Sequence, residues 1–161
     1  MALPLLPFVP MGYRYLEDLG YADAAFEAEG VTLEEVFVCA ADALAHLMVE
    51  DLNSIQPKTV RQIEIKQKAG APRDDLSRLL QEFLEKIIYW KDVDRLLLRA
   101  SNVEVKMAAA DYGREVIGEL WGEPIDPSRH ALGADVKAVT FHQMKVWKEG
   151  QLWKAVVVVD I

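Results

Sequence analysis

Apolar positions along the chain follow two different periods. Between Thr32 and Val49 they recur at helical spacing, with Leu33, Val36, Phe37, Ala40, Leu44, Leu47 and Met48 on one stripe. Thr32 followed by Glu35 reads as a capping box, so a helix is predicted over about residues 32–49, covering a core on one side only. A second stripe of Leu76, Leu79, Leu80, Phe83, Leu84, Ile87 and Ile88 predicts another helix, capped by Asp74 or Asp75. Lys86 and Lys91 lie toward its end, where cations suit the helix dipole.

Elsewhere the period is nearer two. Ile63 and Ile65 alternate with polar neighbours from Val60 onward, and Val103, Val105, Met107 and Ala109 alternate with Glu104, Lys106 and Ala108. Both segments predict half-buried strands. A short apolar run at Leu96–Leu98, strands over 115–121 and 137–147, and a hairpin connection at 148–151 leading into 152–161 complete the pattern. Val156 to Val159 form an unbroken β-branched run, expected of a strand buried on both faces or nearly so. Strands outnumber helices and cluster late, which predicts an α+β single domain with a mostly antiparallel sheet packed with two main helices. The breaks at 68–72 and 122–130 have the length of loops inside a domain. Residues 1–12, with Pro4, Pro7 and Pro10, fit no element and read as an extended or mobile amino-terminal extension, leaving 13–161 as the domain. Those prolines and the lack of a basic n-region argue against a signal peptide, and no apolar run approaches the roughly 20 residues of a membrane span, so a cytoplasmic protein is expected.

Composition narrows the chemistry. The 161 residues are 52% hydrophobic and 27% charged, the balance of a globular chain. Against 26 acidic residues stand 18 Lys and Arg, a net charge of −8, which disfavours stable direct nucleic-acid binding and favours basic partners. Neither Gly-rich phosphate motif occurs, so nucleotide binding by those routes is not expected. The one cysteine, Cys39, excludes an internal disulfide or a Cys-based zinc cluster and reads as a packed small hydrophobe. His46 falls off its helix stripe as a solvated or boundary residue. His130 and His142 lack ligand spacing, so a structural role is preferred for each. Trp90, Trp121, Trp147 and Trp153 have the spacing of core or rim packing rather than of a base-stacking platform.

Two features stand apart. Asp160 ends an otherwise apolar strand, next to Ile161, whose α-carboxylate would add hard oxygen donors of the kind calcium or magnesium takes. On the residues alone, a solvated strand end is the plainer reading. The second is the segment from Gly122 to Gly133, where Asp126-Pro127 can start a short helical turn.

At these residues the sequence resembles the archease family. The stretch Gly122-Glu-Pro-Ile-Asp-Pro-Ser-Arg-His-Ala-Leu-Gly-Ala-Asp-Val-Lys-Ala-Val-Thr-Phe-His142 is similar to that family's long central motif almost throughout. The ending Val-Val-Val-Val-Asp-Ile161 resembles its terminal strand, Glu82 to Asp92 its second helix and Gly30 to Glu35 the start of its first. The amino-terminal motif departs, with Gly20 and Tyr21 where the family carries His and Thr, but Ala22-Asp23 keeps its Ala-Asp pair. The resemblance implies a divalent metal ion, commonly calcium, bound by Asp23, Asp160 and the α-carboxylate of Ile161.

It also implies a role. Archeases are protein cofactors, not enzymes: they promote guanylylation and multiple turnover of RtcB-type RNA ligases, which join RNA ends in tRNA splicing and repair. The ligase, not this chain, would use GTP, so no catalytic or cofactor-binding residue is expected here. Two alternatives are a general chaperone or modulator of RNA-processing enzymes, and a hydrolase using Asp23 and Asp160 with a metal-bound water. Turnover by the isolated chain would distinguish the hydrolase.

Overall fold

The computed structural model describes residues 12–17, 23–67, 76–106 and 113–161. Among these residues seven strands and two α-helices follow in the order β1 (Gly12–Leu16), β2 (Asp23–Gly30), α1 (Leu33–Met48), β3 (Thr59–Lys66), α2 (Leu76–Asp94), β4 (Leu96–Lys106), β5 (Glu115–Pro124), β6 (Ala138–Glu149) and β7 (Leu152–Asp160). The α+β class holds, and every strand pair is antiparallel. The strands form two sheets rather than one, ordered β1-β2-β7-β6 and β3-β5-β4.

The expected capping box starts α1: Thr32 Oγ1 accepts from the Glu35 amide at 3.1 Å, and Glu35 Oε1 accepts from the Thr32 amide at 3.3 Å. The helix does not cover a core on one side only. Cys39, Ala41, Ala43 and Ala45 are buried along with all of the predicted stripe except the half-buried Leu47, because α1 touches β2 and β1 of one sheet and β4 of the other. Small side chains let both neighbours approach closely. The burial of Cys39 and the nearby Asp42, Glu35 and Glu29 carboxylates push its thiol up to about 12, as befits a packed hydrophobe. His46 sits at the boundary, bonded to the Tyr13 hydroxyl and the Glu50 carbonyl.

Helix α2 buries its predicted face, from Leu79 and Leu80 through Phe83 and Leu84 to Ile87 and Ile88. Lys91 lies in the last turn, as expected. Its ammonium is buried, donating to Asp135 Oδ1 at 2.6 Å and to the Val136 carbonyl at 2.7 Å. A buried ammonium needs such partners, and these tie α2 to the segment before β6.

The sequence pattern passes over β1 and β2. It also splits β4, whose Leu96–Leu98 run and Val103–Lys106 alternation belong to one strand. A bulge between Ser101 and Glu104 shifts the alternation by one residue, with Asn102 in the left-handed region at φ 52°. The hairpin from β6 to β7 turns at Gly150–Gln151, with Gly150 at φ 61°. The candidate caps Asp74 and Asp75, the break at 68–72, the strand end at Met107–Ala109 and residues 1–11 lie outside the described residues. Among the described residues no helix is long and apolar enough to cross a membrane.

Candidate functional site

Strands β2 and β7 run antiparallel with Asp23 directly opposite Asp160. Directly opposed residues have Cβ atoms about 4.5–5.5 Å apart and project from the same face of the sheet. Phe26 and Ala28 point into the core, so alternation puts Asp23 on the other face, where the pairs Ala25–Val158, Glu27–Val156 and Glu29–Lys154 follow it. Asp23 is exposed and Asp160 half-buried. On its far side Asp160 pairs with Ala138 of β6, and its carbonyl accepts from the Lys137 amide at 2.8 Å. The strand end is therefore fixed from both neighbours. Ile161, which follows Asp160, packs against the core.

The donors gathered there are all oxygens, which suits a hard divalent cation and not a thiophilic one. Among the described residues no group of three or more His, Cys, Asp or Glu side chains is arranged to hold a metal. Any coordination shell here therefore needs, beyond two carboxylates, an α-carboxylate, carbonyl or water oxygen. Gly20 and Tyr21 lie outside the described residues.

A second cluster escaped the residue-level reading. Glu123, at the end of β5, is 1% exposed and His130 is 2% exposed. Arg129 bonds Glu123 Oε1 and the Ser54 carbonyl, the latter at 2.9 Å. The Gln56 amide donates to Glu123 Oε2 at 2.7 Å, and the exposed Lys58 ammonium lies 3.4 Å from Oε1. The Asp126 amide donates to His130 Nδ1 at 2.9 Å, which places the ring proton on Nε2, 3.1 Å from Glu123 Oε2. Burial pushes the Glu123 carboxyl up, but bonds from Arg129, Gln56 and His130 outweigh it and hold the group at about 2. The expected helical turn is present: the Asp126 carbonyl accepts from the Arg129 and His130 amides, while its carboxylate accepts from the Ser128 amide and hydroxyl. This is the fastening of the 122–133 loop. It bears out the structural reading of His130. A glutamate between Gly122 and Pro124, six residues before an arginine, is the only sequence signal of it.

Two antiparallel sheets packed with two helices, with Asp23 and Asp160 paired at one sheet end, define a small α+β domain. Comparison with known proteins gives the family. The Archease protein family matches residues 13–161, and the chain belongs to that family. Protein archease of Methanopyrus kandleri is 41% identical over 140 residues, covering 87% of this chain and 94% of the relative. That of Pyrococcus abyssi is 34% identical over 142 residues, covering 87% and 93%. The solution structure of Methanobacterium thermoautotrophicum protein 1598 superposes with a TM-score of 0.75 at 32% identity, covering 93% of this chain and 99% of that one.

Proposed function

We propose that this chain is a cytoplasmic activator of an RtcB-type RNA ligase, promoting ligase guanylylation and multiple turnover in tRNA splicing and RNA repair. The observation that carries the reading is the cross-strand pairing of Asp23 with Asp160 at an accessible sheet end beside Ile161. In this reading Asp23, Asp160 and the α-carboxylate of Ile161 hold a divalent metal ion, calcium being the best match to an all-oxygen donor set. When bound, the ion offsets the repulsion of clustered carboxylates and supplies a positive charge at the sheet end. The β2–β7 and β6–β7 ladders pre-order the two aspartates, so little conformational entropy is lost when they engage a partner. GTP and the RNA ends stay with the ligase, in line with the absence of phosphate-binding loops and the net charge of −8.

The test is ligation by the organism's own RtcB-type enzyme, with ligase limiting, in the presence and absence of this protein. Product exceeding one equivalent of ligase only when the protein is present supports the reading. Identical turnover with and without it defeats the reading. Stimulation of several unrelated RNA-processing enzymes would instead favour a general chaperone.

A further inference from the structure

A pocket of about 290 Å³ opens where the end of α1, the last turn of α2, the start of β4 and the residues that follow β5 meet. Its walls are aliphatic, formed by Met48, Leu97, Ile125 and Leu132. Met48 and Leu97 are buried, whereas the Leu132 side chain is 46% exposed above a pinned backbone. Leu132 bridges Val49, the Glu50 amide donates to the Ala131 carbonyl at 2.8 Å, and the Gly133 and Ala134 amides donate to the Met48 and Leu47 carbonyls at 2.9 and 2.8 Å. A Cβ at Gly133 would lie 2.5 Å from the Leu47 carbonyl oxygen, so this close approach requires glycine. The walls are therefore preformed.

The charged residues around the mouth divide into three that are engaged with one another and one that is not. The Lys91 ammonium has an acceptor for each of its protons: Asp135 Oδ1 at 2.6 Å, the Val136 carbonyl at 2.7 Å and Asp92 Oδ1 at 2.9 Å. Lys91 is thus closed to a ligand. Arg95 differs. Its charge reaches Asp135 more weakly than those of Lys91 and Lys137, and among the described residues no carboxylate, carbonyl or hydroxyl oxygen bonds its guanidinium. Its backbone sharpens the contrast. Arg95 follows α2 at φ 54°, the left-handed conformation in which helices commonly end on glycine, and its carbonyl is fixed there by the Ile125 amide at 2.8 Å. Glycine would hold this place without strain. An arginine held there against backbone preference, exposed at the pocket mouth and without a protein acceptor, presents its fork to a ligand rather than to the fold.

We infer that this pocket binds a small free monocarboxylate with a branched aliphatic body, the carboxylate pairing with the Arg95 guanidinium and the body packing against Met48, Leu97, Ile125 and Leu132. An arginine fork matches a carboxylate through two parallel hydrogen bonds. Asp92 and Asp135 beside the mouth repel a second negative charge, which selects against phosphate esters and nucleotides. A polypeptide end is a poorer fit, because the Gly133 and Ala134 amides that a peptide backbone would need are already bonded to α1. The inference is independent of ligase activation, and neither Asp23 nor Asp160 takes part in it.

The probe is isovalerate, titrated at neutral pH into the isotope-labelled full chain and followed by amide chemical shifts, with isovaleramide, N-acetylleucine and inorganic phosphate as comparisons. The expected result is saturable shifts at Arg95, Ile125 and residues 132–135 with a Kd on the order of 1 mM, as a ligand of so few atoms allows. N-acetylleucine should bind more weakly, and isovaleramide and phosphate should give no saturation. Arg95→Gly should weaken isovalerate binding about tenfold or more, the size of a lost hydrogen bond to a charged group, while its Tm stays at or above that of the unaltered protein because the left-handed strain is gone. No saturable shift with isovalerate, equal binding of isovaleramide, or unchanged affinity in Arg95→Gly would each overturn the site. An equal response to phosphate would mean an adventitious ion only, and a response to N-acetylleucine alone would give the pocket to a polypeptide end, both against the proposal. A lowered Tm in Arg95→Gly would make the arginine a structural residue and overturn its assignment.

Discussion

His130 donates from Nε2 to Glu123 Oε2 at 3.1 Å, and both side chains are shut away from solvent. The Asp126 amide occupies Nδ1, so the ring has only Nε2 to offer Glu123. One carboxylate thus anchors the 129–130 turn, the segment at Gln56 and the end of β5.

Replacing Glu123 by alanine should be among the costliest single changes in this domain. It leaves Arg129, the Gln56 amide and His130 Nε2 without their shared acceptor, and breaking a buried charge pair from one side typically costs about 3–5 kcal/mol. Urea denaturation should show that loss for Glu123→Ala. A change under about 1 kcal/mol, the size of a lost surface pair, would mean that the cluster does not fasten the loop.

The same carboxylate predicts an acid limb. Its folded value of about 2 lies below the ordinary 4.5, so its contribution is complete above pH 4.5 and is lost as pH falls from 4.5 toward 2. Stability measured across that window should fall for the unaltered protein, and the fall should be shallower in Glu123→Gln. Equal slopes would assign the acid sensitivity to other groups.

If the sheet end holds calcium, folding is linked to the ion. Calcium at a hundredfold excess over its Kd should stabilise the unaltered protein by about 2.7 kcal/mol, and thermal unfolding should show a rise in Tm that Asp160→Asn lacks. An equal rise in both proteins would place any bound calcium elsewhere. A tag appended after Ile161 removes the α-carboxylate from this position and should weaken the effect while leaving the apo Tm unchanged.

Much of this architecture is legible in the residues, for reasons that differ by element. Helices α1 and α2 carry full apolar stripes, and the β6–β7 hairpin has its Gly150 turn, so local pattern and tertiary packing agree. Strand β2 is hidden because its inward positions include Ala28 and Gly30, residues poor in strand propensity, which are selected here by close approach to α1 and Glu35. Strand β4 is broken in pattern by the Asn102 bulge. The division into two sheets follows from pairings distant along the chain, such as β2 with β7, that no local period encodes. Asp160 is conspicuous by its position after four valines, whereas Asp23 is visible only through the family motif. Their opposition depends on the register of a strand that the pattern misses. The burial of Lys91 and Glu123 is equally unmarked, since it depends on Asp135 and Val136 for the one and on Gln56, Arg129 and His130 for the other.

The most direct test of the central claim is multiple-turnover ligation by the cognate RtcB-type enzyme, with saturating unaltered protein, Asp23→Asn or Asp160→Asn, each variant first shown to be folded by its thermal transition. The account predicts many turnovers with the unaltered protein and a yield held near one equivalent of ligase with either variant. Full turnover with both variants would contradict it.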